Sequence, residues 1–248
     1  MAVLDALRGR GLVEGKEQGV GFRVDPAEAA KRERDRKAKD NRTRGFAMSL
    51  FSQSQFGEGT PVATYLREAR GIPLDVIPPS LRFHPGLKHP SADGLFPCMI
   101  ALVESVRGEG VGIHRTYLRP DGLGKADVQP QKAMMGPCRG GAVRFSRDRE
   151  TMAVAEGIES ALSFAVATRT PTLAVLSTSG MKAVGLPAMP LASSLIVAAD
   201  NDPAGLMAGR ILARRAGEEG RAARVIHPPI EGEDFNDLLV RPDSEGEA

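Results

Sequence analysis

The spacing of hydrophobic positions changes near residue 150, and the two halves of the chain predict different folds. After that point short apolar runs alternate with helical patterns. TMAVA precedes GIESALSFAVAT; TLAVLST precedes a Ser179-Gly180 turn and MKAVGL; SSLIVAAD precedes PAGLMAGRILARRAGEEG; RAARVIHPP precedes DFNDLLV. Strands joined through helices of this length need right-handed crossovers, and the sheet they form is parallel. The runs are apolar throughout rather than at every second residue, the pattern expected when helices cover both faces.

Before residue 150 the pattern is that of a small antiparallel meander. FPCMIALVES reads as a buried strand and GVGIHRTYL as an alternating one, with Arg107-Gly108-Glu109-Gly110 as the hairpin turn between them. Asp121-Gly122 and Gly124 form another turn, and Gly140-Gly141 lead into a last strand, AVRF. Further upstream, GTPVATYLREARG (59–71) predicts a short amphipathic helix with Val62, Tyr65 and Leu66 as its stripe and Gly71 as its stop. Pro73, Pro78 and Pro79 mark a rigid connection. Residues 26–44 predict a helix capped by Asp25 with Pro26 in its first turn. Its only apolar residues are alanines, so it is a solvated helix or a nucleic-acid-binding arm. The Gly-rich residues 1–25 read as a poorly ordered arm, and the acidic end RPDSEGEA as a disordered tail.

Composition narrows the choices. With 248 residues the chain holds one large domain or two small ones and needs no covalent staple. Cys98 and Cys138 are too few for a disulfide framework or a four-ligand zinc site, and fit a reducing, cytoplasmic setting. No apolar run approaches ~18 residues, which argues against a membrane partner, and the first residues lack the apolar block of a secretory signal. The net charge of +2 conceals a balance of +7 over residues 1–150 and −5 over 151–248. Such a split fits an anionic partner for the first part and a cation held by the second, or two counter-charged faces packed together.

The acids carry the chemistry. Glu156 follows the first strand of the second half, Asp200 and Asp202 follow the third, and Asp234 follows the fourth after a short loop. In an open parallel sheet all these strand ends lie along one edge, where ligands bind. Two carboxylates ~4 Å apart repel by about 4 kcal/mol at an effective dielectric of 20, so protons or cations must relieve the cluster. With hard oxygen donors at neutral pH the natural cation is Mg²⁺, which bridges to phosphate oxygens and so implies a nucleotide or polynucleotide substrate. Each acid also has an ordinary reading. Asp202 precedes Pro203 and can cap a helix, Asp234 and Asp237 can do the same, and Glu156 and Glu159 can complement a helix dipole.

The ordered set AVAEGIESALS, IVAADNDPAG and GEDFNDLLV resembles the Toprim domain, whose signature is Glu-Gly after the first strand, Asp-x-Asp after the third and an acid after the fourth. The upstream stretch, FPCMIALVESVRGEGVGIHRTYL, DGLGKADVQPQKAMMG and GGAVRF, is similar to the smaller basic subdomain that precedes Toprim in primases of bacteria, plasmids and phages. The resemblance implies an α/β fold: a Rossmann-like Toprim sheet over residues 151–240, preceded by an antiparallel β-rich basic subdomain over 59–150. Residues 1–58 would form a basic, partly helical or disordered arm and 241–248 a tail.

The same resemblance implies metal-dependent nucleotidyl transfer on a single-stranded DNA template, using nucleoside triphosphates and Mg²⁺ or Mn²⁺. Asp200 and Asp202 would hold metal with help from Asp234, and Glu156 would act as general base or ligate a second ion. Arg115, Lys125, Lys132 and Arg144 would meet phosphates, as would the backbone at Ser179 and Gly180. For the basic residues the ordinary reading is a solvated face, and for Ser179-Gly180 a plain strand-to-helix turn. The four Cys/His ligands of a zinc ribbon are missing from residues 1–80, and no helicase segment follows Toprim. The expectation is an isolated catalytic core of mobile-element or phage type, with a replicative helicase or a separate zinc-ribbon protein as partner. A Toprim nuclease shares the same acids, and a non-catalytic nucleic-acid-binding module is the third reading. A topoisomerase is set aside, because only Tyr65 and Tyr117 could serve as its nucleophile.

Overall fold

The computed structural model describes Arg10 and residues 25–241; the predicted arm up to residue 24 and the tail from 242 lie outside the described residues. The chain divides into residues 1–38 and residues 39–248. From Pro26 the backbone is helical, in an element α1 with the bounds Pro26–Gln53. In the first unit its surface is exposed and carries Glu28–Arg32 and Glu33–Arg36 pairs, each worth only a few tenths of a kcal/mol. The helix is longer than the predicted 26–44. In the second unit Ala47, Met48, Leu50 and Phe51 pack on a sheet, so tertiary contact carries the helix past the stretch that propensity alone supports.

That sheet is antiparallel, with strand order β1 (Gln55–Phe56), β2 (Leu81–Lys88), β3 (Leu95–Glu104), β4 (Gly110–Tyr117) and β5 (Lys132–Met135). Strand β3 is apolar on both sides because both sides are covered. Cys98 and Ile100 face α1, while Met99, Ala101 and Val103 face the core shared with the rest of the chain. Strand β2 was not expected from the pattern. Pro85-Gly86 interrupts it, and the register shifts between His84 and Leu87, so the chain keeps its pairing through a bulge. Between β1 and β2 lie α2 (Pro61–Thr64), capped by the Thr60 side chain, and a π-helical turn over Tyr65–Ala69. Val62, Tyr65 and Leu66, the predicted stripe, are fully buried.

The second sheet has the order β10–β9–β7–β8–β6, from β6 (Val143–Arg144), β7 (Thr151–Ala155), β8 (Thr172–Ala174), β9 (Ser194–Ala198) and β10 (Ala222–Ile226). All pairs are parallel except β6–β8. AVRF, assigned to the meander by its sequence position, therefore provides the antiparallel edge of this sheet instead. Helices cover both faces, as the unbroken apolar runs required. Met152 and Val154 of β7 point to α4 (Thr178–Ala183) and α5 (Pro203–Glu218). Ala153 and Ala155 point to α3 (Ile158–Thr168) and α6 (Phe235–Val240). Tyr65, Leu66 and Ile72 join that second layer, and the Phe164 and Phe235 rings meet edge-on at 5.2 Å. One continuous core thus runs from the antiparallel region into the parallel sheet.

Candidate functional site

The carboxyl ends of β7, β8 and β9 deliver the predicted residues to one edge. Glu156 follows Ala155 directly, and its carbonyl accepts the Leu176 N–H at 2.7 Å, which ties the exit of β7 to that of β8. Asp200 lies two residues past β9. The next turn can approach it because Gly205 has no side chain: a Cβ there would meet the Asp200 carbonyl oxygen at 2.8 Å. Asp202 caps α5, with Oδ1 accepting the Gly205 N–H at 2.7 Å. Asp234 caps α6 by accepting from Asn236 and Asp237, and the Asp237 side chain completes a capping box. The ordinary capping readings of Asp202 and Asp234 therefore hold, and each cap leaves carboxylate capacity free.

Asn201, the middle residue of Asp-x-Asp, holds the fourth acid in place. Its N–H donates to the Glu233 carbonyl, its carbonyl accepts from Gly232, and its side-chain amide donates to the Pro228 carbonyl. The loop carrying Asp234 is thereby laced to the loop carrying Asp200 and Asp202. An amide residue between two acids was the available signal, and a pattern with an unspecified middle position overlooks it.

The acids act on one another. Burial first, then Glu156, Asp234 and Asp202, push the Asp200 carboxyl up to about 7, with Lys132 pulling the other way. Burial and Asp202 also raise Glu156, against the Thr178 backbone N–H and Lys132. The Asp200 Oδ1 atom is buried and has no hydrogen-bond partner. Leaving a buried acceptor unmet costs about 1–3 kcal/mol, so this atom is the position most in need of a ligand. Among the described residues no three His, Cys, Asp or Glu side chains form a ready-made metal cage. The donor set nevertheless fits Mg²⁺, which binds through one or two carboxylates and completes its shell with water and substrate phosphate. Asp200 and Asp202 are the carboxylates that would hold it, with Glu156 and Asp234 beside them.

The basic residues separate into two groups. Lys125 and Lys132 converge on Glu159, in the first turn of α3, at 3.2 and 3.5 Å. Tyr65 Oη donates to the same carboxylate at 2.6 Å and accepts from Arg70 Nε at 3.0 Å. Burial pushes the Glu159 carboxyl up, but the two ammonium groups and the tyrosine hydroxyl outweigh it and hold the group far below the usual carboxylate range. The Lys132 charge also works against the upward shift of the Glu156 and Asp200 carboxyls. Arg144 is elsewhere engaged, forming an ion pair with Asp148 at 2.6 Å and donating to the Ser105 carbonyl. Arg115 lies over the Tyr117 ring at 5.9 Å, and its buried Nε has no partner. Neither arginine is among the charges that shift Glu156 or Asp200.

Ser179 and Gly180 belong to a turn that satisfies itself. Ser177 Oγ accepts the Gly180 N–H at 2.9 Å and lies 2.9 Å from Ser179 Oγ. Gly180 is required by packing, since a Cβ would meet the Val175 carbonyl oxygen at 2.0 Å. Sequence reasoning overlooked Glu159 as a centre, and Tyr65 and Asn201 with it. The signal for Glu159 was its place on the stripe Glu159, Leu162, Ser163 and Val166, where an acid on a buried helix face needs a partner.

Comparison with known proteins agrees with this architecture. Residues 151–245 match the Toprim domain family model, and residues 41–145 match a family described as a domain of unknown function (DUF7146). No curated protein matches the chain. Among solved structures, a DNA primase domain from Pseudomonas aeruginosa is similar with a TM-score of 0.52 at 15% identity, over 79% of this chain and 74% of that one. A DnaG primase catalytic domain solved with single-stranded DNA is similar with a TM-score of 0.52 at 17% identity, over 82% and 78%. The chain thus carries a Toprim domain, and its fold as a whole is primase-like. Among the described residues no helix is long and apolar enough to cross a membrane.

Proposed function

We propose that this protein is a primase-type nucleotidyltransferase that builds short oligonucleotides on single-stranded DNA. The observation that carries the reading is the Asp200 centre: a half-buried carboxylate with one buried, unmet oxygen, raised by three further acids and opposed by the charge of Lys132. Acids and lysines side by side suit a substrate that brings cation and polyphosphate together. The primase-like fold, and the single-stranded DNA bound by one similar structure, support the choice of template.

Asp200 and Asp202 would hold Mg²⁺ or Mn²⁺, and Asp234 would support them from its capped position. When bound, the ion supplies Lewis-acid stabilisation of the entering and leaving oxygens in phosphoryl transfer. Glu156, its carboxyl raised by burial and by Asp202, would take the proton of an attacking 3′-hydroxyl. Lys132 would meet nucleotide phosphates. Arg115 would meet phosphates of the nucleotide or template, and binding would weaken steeply with salt. A zinc-ribbon protein or a replicative helicase would supply priming-site choice.

The test is an assay on single-stranded DNA with labelled nucleoside triphosphates and, separately, with a labelled strand, in Mg²⁺ and in Mn²⁺. The expected result is new oligonucleotides, lost in Glu156→Gln. Shortened strands without synthesis would instead assign the same acids to a nuclease, and salt-sensitive binding with neither product would assign the fold to a binding module.

A further inference from the structure

Glu159 has no part in the metal site, yet it is among the most elaborately partnered charges of the described chain. Its side chain is 7% exposed and gathers Tyr65, Lys125 and Lys132, all from the antiparallel half, onto the first turn of a helix of the parallel half. The two lysines are held differently. Lys125 is 3.2 Å from the carboxylate and its side chain is 15% exposed. Lys132 is 3.5 Å away and 41% exposed. Lys132 starts β5, opposite Thr116 of β4, and it is the lysine felt by Glu156 and Asp200.

The charges around Glu159 do not balance locally. Two ammonium groups, Lys125 and Lys132, lie within 3.5 Å of one carboxylate, and Arg70 donates to the Tyr65 hydroxyl that binds it. An anion arriving beside Lys132 would meet that excess of positive charge, and Lys132 is the more exposed of the two lysines, the cation with room to move.

From this geometry we infer that Glu159 is a positioning residue that divides the work of the two lysines: Lys125 is a fixed counter-ion that anchors one half of the protein to the other, and Lys132 is the mobile group that leaves Glu159 for a substrate polyphosphate. The inference rests on the function proposed above and assigns its phosphate contact to one of two neighbouring lysines. Glu159 holds Lys132 at the lip of the acid cluster until the phosphate arrives. The Glu159 carboxylate then remains neutralised by Lys125 and hydrogen-bonded by Tyr65.

The experiment measures binding of inorganic tripolyphosphate by calorimetry, without added metal, alongside thermal unfolding of the full chain. Lys132→Ala should weaken tripolyphosphate binding about tenfold, the scale of one charge-assisted hydrogen bond, with an unchanged unfolding midpoint. Lys125→Ala should lower the midpoint by about 5 °C and leave the affinity within about threefold, as expected for loss of a buried counter-ion rather than a ligand contact. If Lys125→Ala does not fold, Lys125→Arg takes its place and should bind tripolyphosphate as the parent does. Glu159→Gln keeps an acceptor for Tyr65 while releasing both ammonium groups. It should bind tripolyphosphate as well as the parent or better, while oligonucleotide synthesis falls in kcat more than it changes in KM.

Equal losses of affinity in the two lysine variants, unchanged binding in Lys132→Ala, or no binding by the parent protein would each overturn the inference. Binding that depends on Lys132 in a protein that makes no oligonucleotide would leave the inference standing and sink the polymerase reading alone.

Discussion

Glu159 and Asp200 are two carboxylates at the same edge of one sheet, both withdrawn from water, with opposite fates. Glu159 has two ammonium groups within 3.5 Å and a tyrosine hydroxyl at 2.6 Å, and stays ionised well below the usual range. Asp200 has one buried oxygen with no partner, and burial with the charges of Glu156, Asp234 and Asp202 pushes its carboxyl up to about 7. Burial opposes ionisation at both positions, so the neighbours decide the outcome. An opposite charge at this range is worth about 4 kcal/mol at an effective dielectric of 20, enough to reverse the desolvation at Glu159. The first centre is complete within the chain, whereas the second gains stability only from something that arrives.

Three substitutions break or sharpen that contrast. Asp202→Asn should have the largest effect. Asparagine caps a helix as well as aspartate does, so α5 and its Gly205 N–H contact persist while a carboxylate proposed to hold metal is lost. Metal-dependent turnover should fall by about a thousandfold, ~4 kcal/mol of transition-state stabilisation, with DNA binding equal or tighter. Unfolding of Asp202→Asn would show the cap to be its chief role and weaken the site assignment.

Glu159→Ala comes next. Removing one partner from a buried ionic centre costs about 3–5 kcal/mol, because Lys125, itself only partly exposed, loses its counter-charge and the Tyr65 hydroxyl its acceptor. Urea titration should record that loss, and adding Lys125→Met to the same variant should recover part of it. No recovery would mean that the lysine is not the source of the penalty.

Asp200→Asn has the opposite sign in its effect on stability. A carboxyl raised to about 7 in the folded protein, against an ordinary 3.8, binds its proton more tightly folded than unfolded. The metal-free protein should therefore lose stability as pH rises from about 4 to about 7 and level off above. Asp200→Asn should remove that slope and melt higher than the parent at pH 8, and Mg²⁺ should narrow the gap by stabilising the parent. A slope that survives in Asp200→Asn would place the titration on another group.

Much of the second half was legible because its signals are local. Each strand is an unbroken apolar run, and each acid sits at a fixed offset from one, so the order of Glu156, Asp200, Asp202 and Asp234 could be read without knowing any distance. The first half was harder. Strand β2 was hidden because Pro85-Gly86 interrupts its pattern, and the register shifts there as a bulge. Val143-Arg144 was assigned to the nearer sheet, since nothing local distinguishes pairing with β8 from pairing with the meander. Lys125 and Lys132 stood out as basic, but their partner lies 34 and 27 residues away and had a sufficient local explanation as a helix-dipole acid. Long-range charge pairing leaves no periodic trace, and sequence patterns recover it only where an acid interrupts a buried stripe.

The Glu159 centre also bears on heredity. A carboxylate in one half that has meaning only beside a tyrosine and two lysines in the other is a joint lock and key. Recombination that transplanted residues 151–241 onto another upstream partner would separate the acid from its cations, and the chimera would begin with a buried charge unmatched. A stable exchange of the two halves therefore requires an upstream partner that carries matching cations at the same depth.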